Sequence, residues 1–159
     1  MLLHLTHARD TLELGAALGR AEARLERPAA ILLSGPLGSG KTTLVRGLVS
    51  ILPGAQDAEI ASPSFNIVNL YPTRPQVAHF DLYRVAGAAP EEFLELCDAP
   101  GVLVLAEWAE NILRQDWPEE ALHLIWQPVP SGRALEISAW GKAASVLLED
   151  LAPALNQWK

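Results

Sequence analysis

Residues 35–42 read Gly-Pro-Leu-Gly-Ser-Gly-Lys-Thr, the full spacing of a phosphate-binding loop, G-x-x-x-x-G-K-[ST]. Each fixed position has its own task. The glycines let successive backbone N–H groups turn inward around phosphate oxygens, at φ values other residues avoid. Lys41 is a mobile point charge able to reach β- and γ-phosphates. The Thr42 hydroxyl is a hard oxygen suited to Mg²⁺.

Such a loop implies nucleotide binding without naming a reaction. Hydrolysis or transfer also needs a carboxylate near the metal and a group that places the attacking atom. Two carboxylates close apolar runs, at the strand ends where ligands bind in open α/β sheets. Glu107 follows Val102–Ala106 and can coordinate Mg²⁺ directly or through water; it can equally be a charge that ends a strand. Asp81 follows Val77–Phe80 and can reach the metal through water, orient the attacking water, or pair with Arg84. Ser62-Pro63-Ser64-Phe65 is either a loop that a γ-phosphate orders, with Ser64 offering its hydroxyl, or an ordinary Ser/Pro turn. Trp108 can stack on a base or fill the core. His79 reads as a satisfied core or sheet histidine, and Cys97 as core. His4, His7 and His123 are scattered and form no metal motif. No Asn-Lys-x-Asp stretch is present to read guanine, so adenine is the favoured base and ATP the favoured nucleotide.

The elements that must position these groups are legible around them. Ala30–Leu33 forms a short apolar strand before the loop, and Leu44, Val45, Leu48, Val49 and Leu52 follow at helical spacing. A helix over 41–52, ended by Pro53-Gly54, therefore aims its N-terminus at the loop, as an anion site requires. Upstream, Leu14, Ala17, Leu18, Ala21 and Leu25 predict an amphipathic helix over 8–25, with Thr6 or Asp10 as its cap. Strands are expected at 65–71 and 77–83, a short helix at 90–97 opened by Pro90, and a fully covered central strand at 101–106. One or two helical turns at 109–115 lead to strands 121–126 and 133–139, whose tight connection makes them antiparallel. A last helix over 142–156 stacks Leu147, Leu151 and Leu155. The sum is an α/β fold: one three-layer, phosphate-loop NTPase-like domain spanning 1–159. Its central sheet is mostly parallel, helices cover both faces, and antiparallel strands are added at the C-terminal side.

Composition narrows the function. The chain has 159 residues, half of them hydrophobic, and a net charge of −7, which disfavours tight direct binding of nucleic acid. One cysteine rules out an internal disulfide framework. No apolar run approaches a membrane span, and Met1–Leu5 lacks the basic region of a secretory leader. A cytoplasmic setting is expected.

Taken in order, four blocks resemble the TsaE (YjeE) family, the small bacterial ATPases of tRNA threonylcarbamoyladenosine synthesis. They are the loop Leu37–Thr43, the Ser62–Tyr71 segment, His79-Phe80-Asp81-Leu82-Tyr83-Arg84, and Glu107-Trp108. The resemblance spans nearly the whole chain and implies specific roles. Thr42 and Glu107 would hold Mg²⁺; Gly38, Ser39, Gly40, Lys41, Thr42 and Thr43 would wrap the phosphates of ATP; Asp81 would be the carboxylate that assists hydrolysis. Thr11, Trp108 and Arg133 would lie near the nucleotide. It also implies TsaB and TsaD as partners, with tRNA engaged only indirectly. The chain departs from the family pattern in carrying Ser64 where Thr is usual, which keeps the oxygen and loses a methyl group. The stretch Ala86–Glu92 is poorer in glutamate than its counterpart. Two other functions fit a phosphate loop: a small-molecule kinase, which needs an arginine-bearing lid that 109–133 supplies only as Arg114 and Arg133, and a nucleotide-gated adaptor that does not hydrolyse.

Overall fold

The computed structural model describes residues 1–63, 65–129 and 131–159. Seven strands form one sheet: β1 (Leu2–Leu5), β2 (Ala30–Ser34), β3 (Val68–Tyr71), β4 (Gln76–Asp81), β5 (Val102–Glu107), β6 (Ala121–Gln127) and β7 (Arg133–Trp140). Their spatial order is β1-β7-β6-β2-β5-β4-β3. The four inner strands β6, β2, β5 and β4 run parallel. Antiparallel strands close both edges, β7 then β1 on one side and β3 on the other. The parallel centre of the sheet and the antiparallel β6–β7 pair match the sequence reading. The antiparallel additions are not confined to the C-terminal part of the chain, however, because β1 and β3 contribute to them.

Helices α1 (Ala8–Glu22), α2 (Lys41–Ser50) and α4 (Lys142–Leu155) pack on one face of the sheet, and α3 (Glu91–Asp98) on the other. The two sheet faces therefore carry separate apolar cores. Leu103 and Leu105 of β5 enter the first, while Val104 and Ala106 enter the second. This two-sided burial is why β5 is apolar without alternation. In β7, by contrast, Leu135 and Ile137 are buried while Glu136 and Ser138 face outward.

Several boundaries differ from the sequence reading. Neither Thr6 nor Asp10 is the N-cap of α1. His7 holds that position, and the Asp10 carboxylate reaches back to accept the His7 amide at 2.7 Å. The helix stops at Glu22 rather than continuing to 25, and the fully buried Glu22 carboxylate accepts the Ala29 amide at 2.9 Å. The one or two helical turns expected at 109–115 are present as two 3₁₀ turns, Ala109–Asn111 and Arg114–Asp116.

The pairing of α1 with α2 matters most for the site. A Cβ placed on Gly47 would lie 2.1 Å from the Leu12 carbonyl oxygen, and one on Gly15 would lie 2.2 Å from that of Leu44. Only glycine allows this backbone-to-backbone approach. The approach seats Thr11 of α1 directly beside Gly40, at the mouth of α2.

Candidate functional site

The loop between β2 and α2 adopts the conformation its glycines permit. Gly35, Gly38 and Gly40 have φ of 145°, 75° and 115°, and Gly40 caps α2. The N-terminus of α2 thus opens onto a cleft of about 460 Å³ at the carboxyl ends of the parallel strands. Gly38, Ser39, Gly40, Lys41, Thr42, Thr43, Asp81, Glu107, Trp108 and Arg133 all line it. Of the site residues named from sequence, only Thr11 is set behind the wall. It is fully buried, and its hydroxyl has no hydrogen-bond partner among the described residues. Ser64 lies outside the described residues.

Register explains the convergence of the carboxylates. Asp81 and Glu107 are adjacent partners at the ends of β4 and β5. Successive residues alternate between sheet faces, so Val77, His79 and Asp81 share a face, as do Leu103, Leu105 and Glu107. That face looks toward α2. Glu107, 3 % exposed, accepts the Thr42 hydroxyl at 2.8 Å through Oε1. The same oxygen meets His79 Nε2 at 2.8 Å, and His79 Nδ1 meets the Tyr71 hydroxyl at 2.9 Å. Tyr71 in turn reaches the carbonyl of Ala61 at 3.0 Å. Asp81 accepts the Ser62 hydroxyl and the Tyr83 amide, each at 3.0 Å. Among the described residues no ion pair joins it to Arg84.

Lys41 is folded back onto its own loop. Its ammonium donates to the carbonyls of Gly35 at 2.7 Å and Pro36 at 2.9 Å, and it lies 4.1 Å from the centre of the Trp108 ring. Burial pushes its pKa down, opposed by the negative charges of Glu107, Glu110 and Asp81. Trp108 has a φ of 62°, unusual for a bulky residue, and packs edge-on against Tyr83 with ring centres 4.9 Å apart. Its indole therefore sits over the lysine of the loop. Arg133, from the start of β7, donates its Nε to the Ser39 carbonyl at 2.9 Å and so braces the loop from the other side.

Thr42 and Glu107 together present hard oxygen donors, the chemistry a Mg²⁺ ion takes. Among the described residues no group of three His, Cys, Asp or Glu side chains could hold a metal unaided. Magnesium suits such a sparse donor pair, because it commonly completes its shell with phosphate and water.

Sequence reasoning assigned no role at the site to five contributors. His79, taken as a core or sheet histidine, is the direct neighbour of Glu107, and Tyr71 stands behind it. Tyr83 and Ser62 line the cleft, and Glu110 accepts the Gly35 amide at 3.3 Å. The available signal for His79 was its position two residues before Asp81 on an alternating strand, hence on the same face.

The sequence profile of the family "Threonylcarbamoyl adenosine biosynthesis protein TsaE" matches residues 5–134. The chain belongs to the TsaE family. Among named TsaE proteins, that of Treponema pallidum is 36% identical over 110 residues, covering 66% of this chain and 76% of its own. The Streptomyces coelicolor TsaE is 38% identical over 113 residues, covering 67% and 74%. Both are named tRNA threonylcarbamoyladenosine biosynthesis proteins. In fold, the chain is similar to the crystal structure of YdiB from Bacillus subtilis, with a TM-score of 0.75 over 98% of this chain and 96% of the other at 23% identity. The four blocks that carried the resemblance in sequence all lie within the matched region. No helix among the described residues is long and apolar enough to cross a membrane.

Proposed function

We propose that this TsaE-family chain, acting as one domain over its 159 residues, is a Mg²⁺-dependent ATPase that serves tRNA threonylcarbamoyladenosine synthesis in the cytoplasm. The observation that carries the reading is the direct Thr42–Glu107 contact at the mouth of α2, between a complete phosphate loop and the end of β5. In this mechanism the amides of residues 38–43 wrap the phosphates. Lys41 leaves the carbonyls of Gly35 and Pro36 for the phosphate oxygens, where its charge offsets what develops as the terminal bond breaks. Thr42 and Glu107 would hold the Mg²⁺, which would supply charge neutralisation at the phosphates. Asp81, kept in orientation by Ser62 and the Tyr83 amide, places the attacking water. Thr11 and Arg133 brace the loop around Gly40 and Ser39, and Trp108 covers its lysine.

The sequence offers no evident arginine finger, so on this reading turnover by the chain alone would be slow and contact with partners would complete the site. By family resemblance those partners are TsaB and TsaD, with TsaD carrying out the transfer to tRNA. The test is phosphate release from ATP and Mg²⁺ without any added acceptor, alone and with the two partners. Release that disappears in Lys41→Ala supports the ATPase. Transfer only to a small-molecule acceptor would make the chain a kinase. Sustained tRNA modification by Lys41→Ala would make it a non-hydrolysing adaptor.

A further inference from the structure

The hydrogen-bond chain that begins at Thr42 does not end at Glu107. It continues through His79 and Tyr71 to the backbone at Ala61. Every link is between 2.8 and 3.0 Å. His79 is fully buried, Glu107 and Tyr71 are each 3 % exposed, and the imidazole and phenol rings are tilted together with centres 5.9 Å apart. A histidine so placed has little rotational freedom. One ring nitrogen is committed to Tyr71 and the other to the carboxylate.

A carboxylate that must present an oxygen to a cation gains affinity when a buried partner fixes its rotamer beforehand, and loss of such a partner typically costs tenfold or more in metal affinity. Thr42 alone could not serve, since its hydroxyl is the other group facing the same ion. The Ser62 hydroxyl, one residue after Ala61, donates to Asp81. The two cleft carboxylates are thus tied to adjacent residues of one segment, Glu107 through the His79–Tyr71 pair and Asp81 directly.

We propose that His79, itself held by Tyr71, is the positioning residue that fixes the Glu107 carboxylate for the metal of a bound metal–nucleotide, and that Tyr71 registers this carboxylate with the Ala61–Ser62 segment that holds Asp81. This rests on the Mg²⁺-nucleotide reading above, and the test separates the two.

The measurement is calorimetric titration of the 159-residue chain with ADP at a series of free Mg²⁺ concentrations. In the wild type, Mg²⁺ must tighten ADP binding; indifference to Mg²⁺ would overturn the metal reading itself. Given that dependence, His79→Leu is expected to raise the half-saturating Mg²⁺ concentration about tenfold while leaving metal-free ADP binding within about twofold. His79→Gln returns an N–H near the position of Nε2 and should recover most of the loss, a rescue that a merely space-filling role would not produce. Tyr71→Phe, which keeps the ring, should give a smaller rise of about threefold. Wild-type Mg²⁺ dependence in both His79→Leu and Tyr71→Phe would overturn the proposal, as would equal weakening of ADP binding with and without metal. Melting curves accompany each variant. If His79→Leu unfolds, Tyr71→Phe and His79→Gln decide, the proposal failing if Tyr71→Phe matches the wild type.

Discussion

Two glutamates are buried among the described residues, and their surroundings could hardly differ more. Glu22 closes α1 at the far end of the molecule from the loop's cleft. It is fully buried, accepts one backbone amide through one oxygen, and its other oxygen has no partner among the described residues. Burial pushes its pKa up to about 8, the Ala29 amide only partly opposing the shift. Glu107 is almost as deeply buried, yet it faces a hydroxyl, an imidazole and the loop's lysine. Burial alone therefore does not mark a working carboxylate. What marks Glu107 is its company at the carboxyl end of a parallel strand, beside the phosphate-binding loop and the hydroxyl of Thr42.

The comparison breaks most visibly with pH. Glu22 is protonated in the folded state up to about pH 8 but ionises near 4.5 when the chain unfolds. The folded state then holds the extra proton between these values. The stability this confers is complete below the unfolded pKa and is lost as pH rises through the folded one. The loss is on the order of 4 kcal/mol between pH 4.5 and pH 8.5. Chemical denaturation across that range should show the decline in the wild type and a much flatter profile in Glu22→Gln. An unchanged slope in the variant would show that Glu22 is not the group responsible.

A somewhat smaller effect is expected from Gly47→Ala. The new Cβ would collide with the Leu12 carbonyl and force α1 from α2, costing about 2–3 kcal/mol. Thr11 moves with α1, so nucleotide affinity should fall as well. Loss of stability without any loss of affinity would show that the seat of Thr11 beside Gly40 is dispensable.

What could be read from sequence follows the same division between local and distant causes. The loop was legible because its conformation forces glycine at fixed positions and its strand and helix adjoin it in the chain. β5 was legible because two-sided burial leaves no polar residue until Glu107. β1 was not, since its four residues become a strand only by pairing with β7, some 130 positions later. The end of α1 was misplaced because the apolar stripe runs on through Leu25, while the buried Glu22 instead turns to the Ala29 amide. His79 was undervalued for a similar reason. Its meaning depends on a carboxylate 28 residues away that parallel pairing of β4 and β5 brings alongside. Segments whose roles are set by neighbours in the chain announce themselves; those set by sheet registry do not.

The most direct measurement compares the two glutamates in one assay: phosphate release from ATP with Mg²⁺ at pH 7 by the wild type, Glu107→Gln and Glu22→Gln. The expected result is a loss of about a hundredfold in Glu107→Gln with folding intact, and a rate close to wild type in Glu22→Gln. A Glu107→Gln protein that hydrolyses ATP at the wild-type rate with unaltered Mg²⁺ dependence would contradict the assignment of this carboxylate, and with it the account of the site.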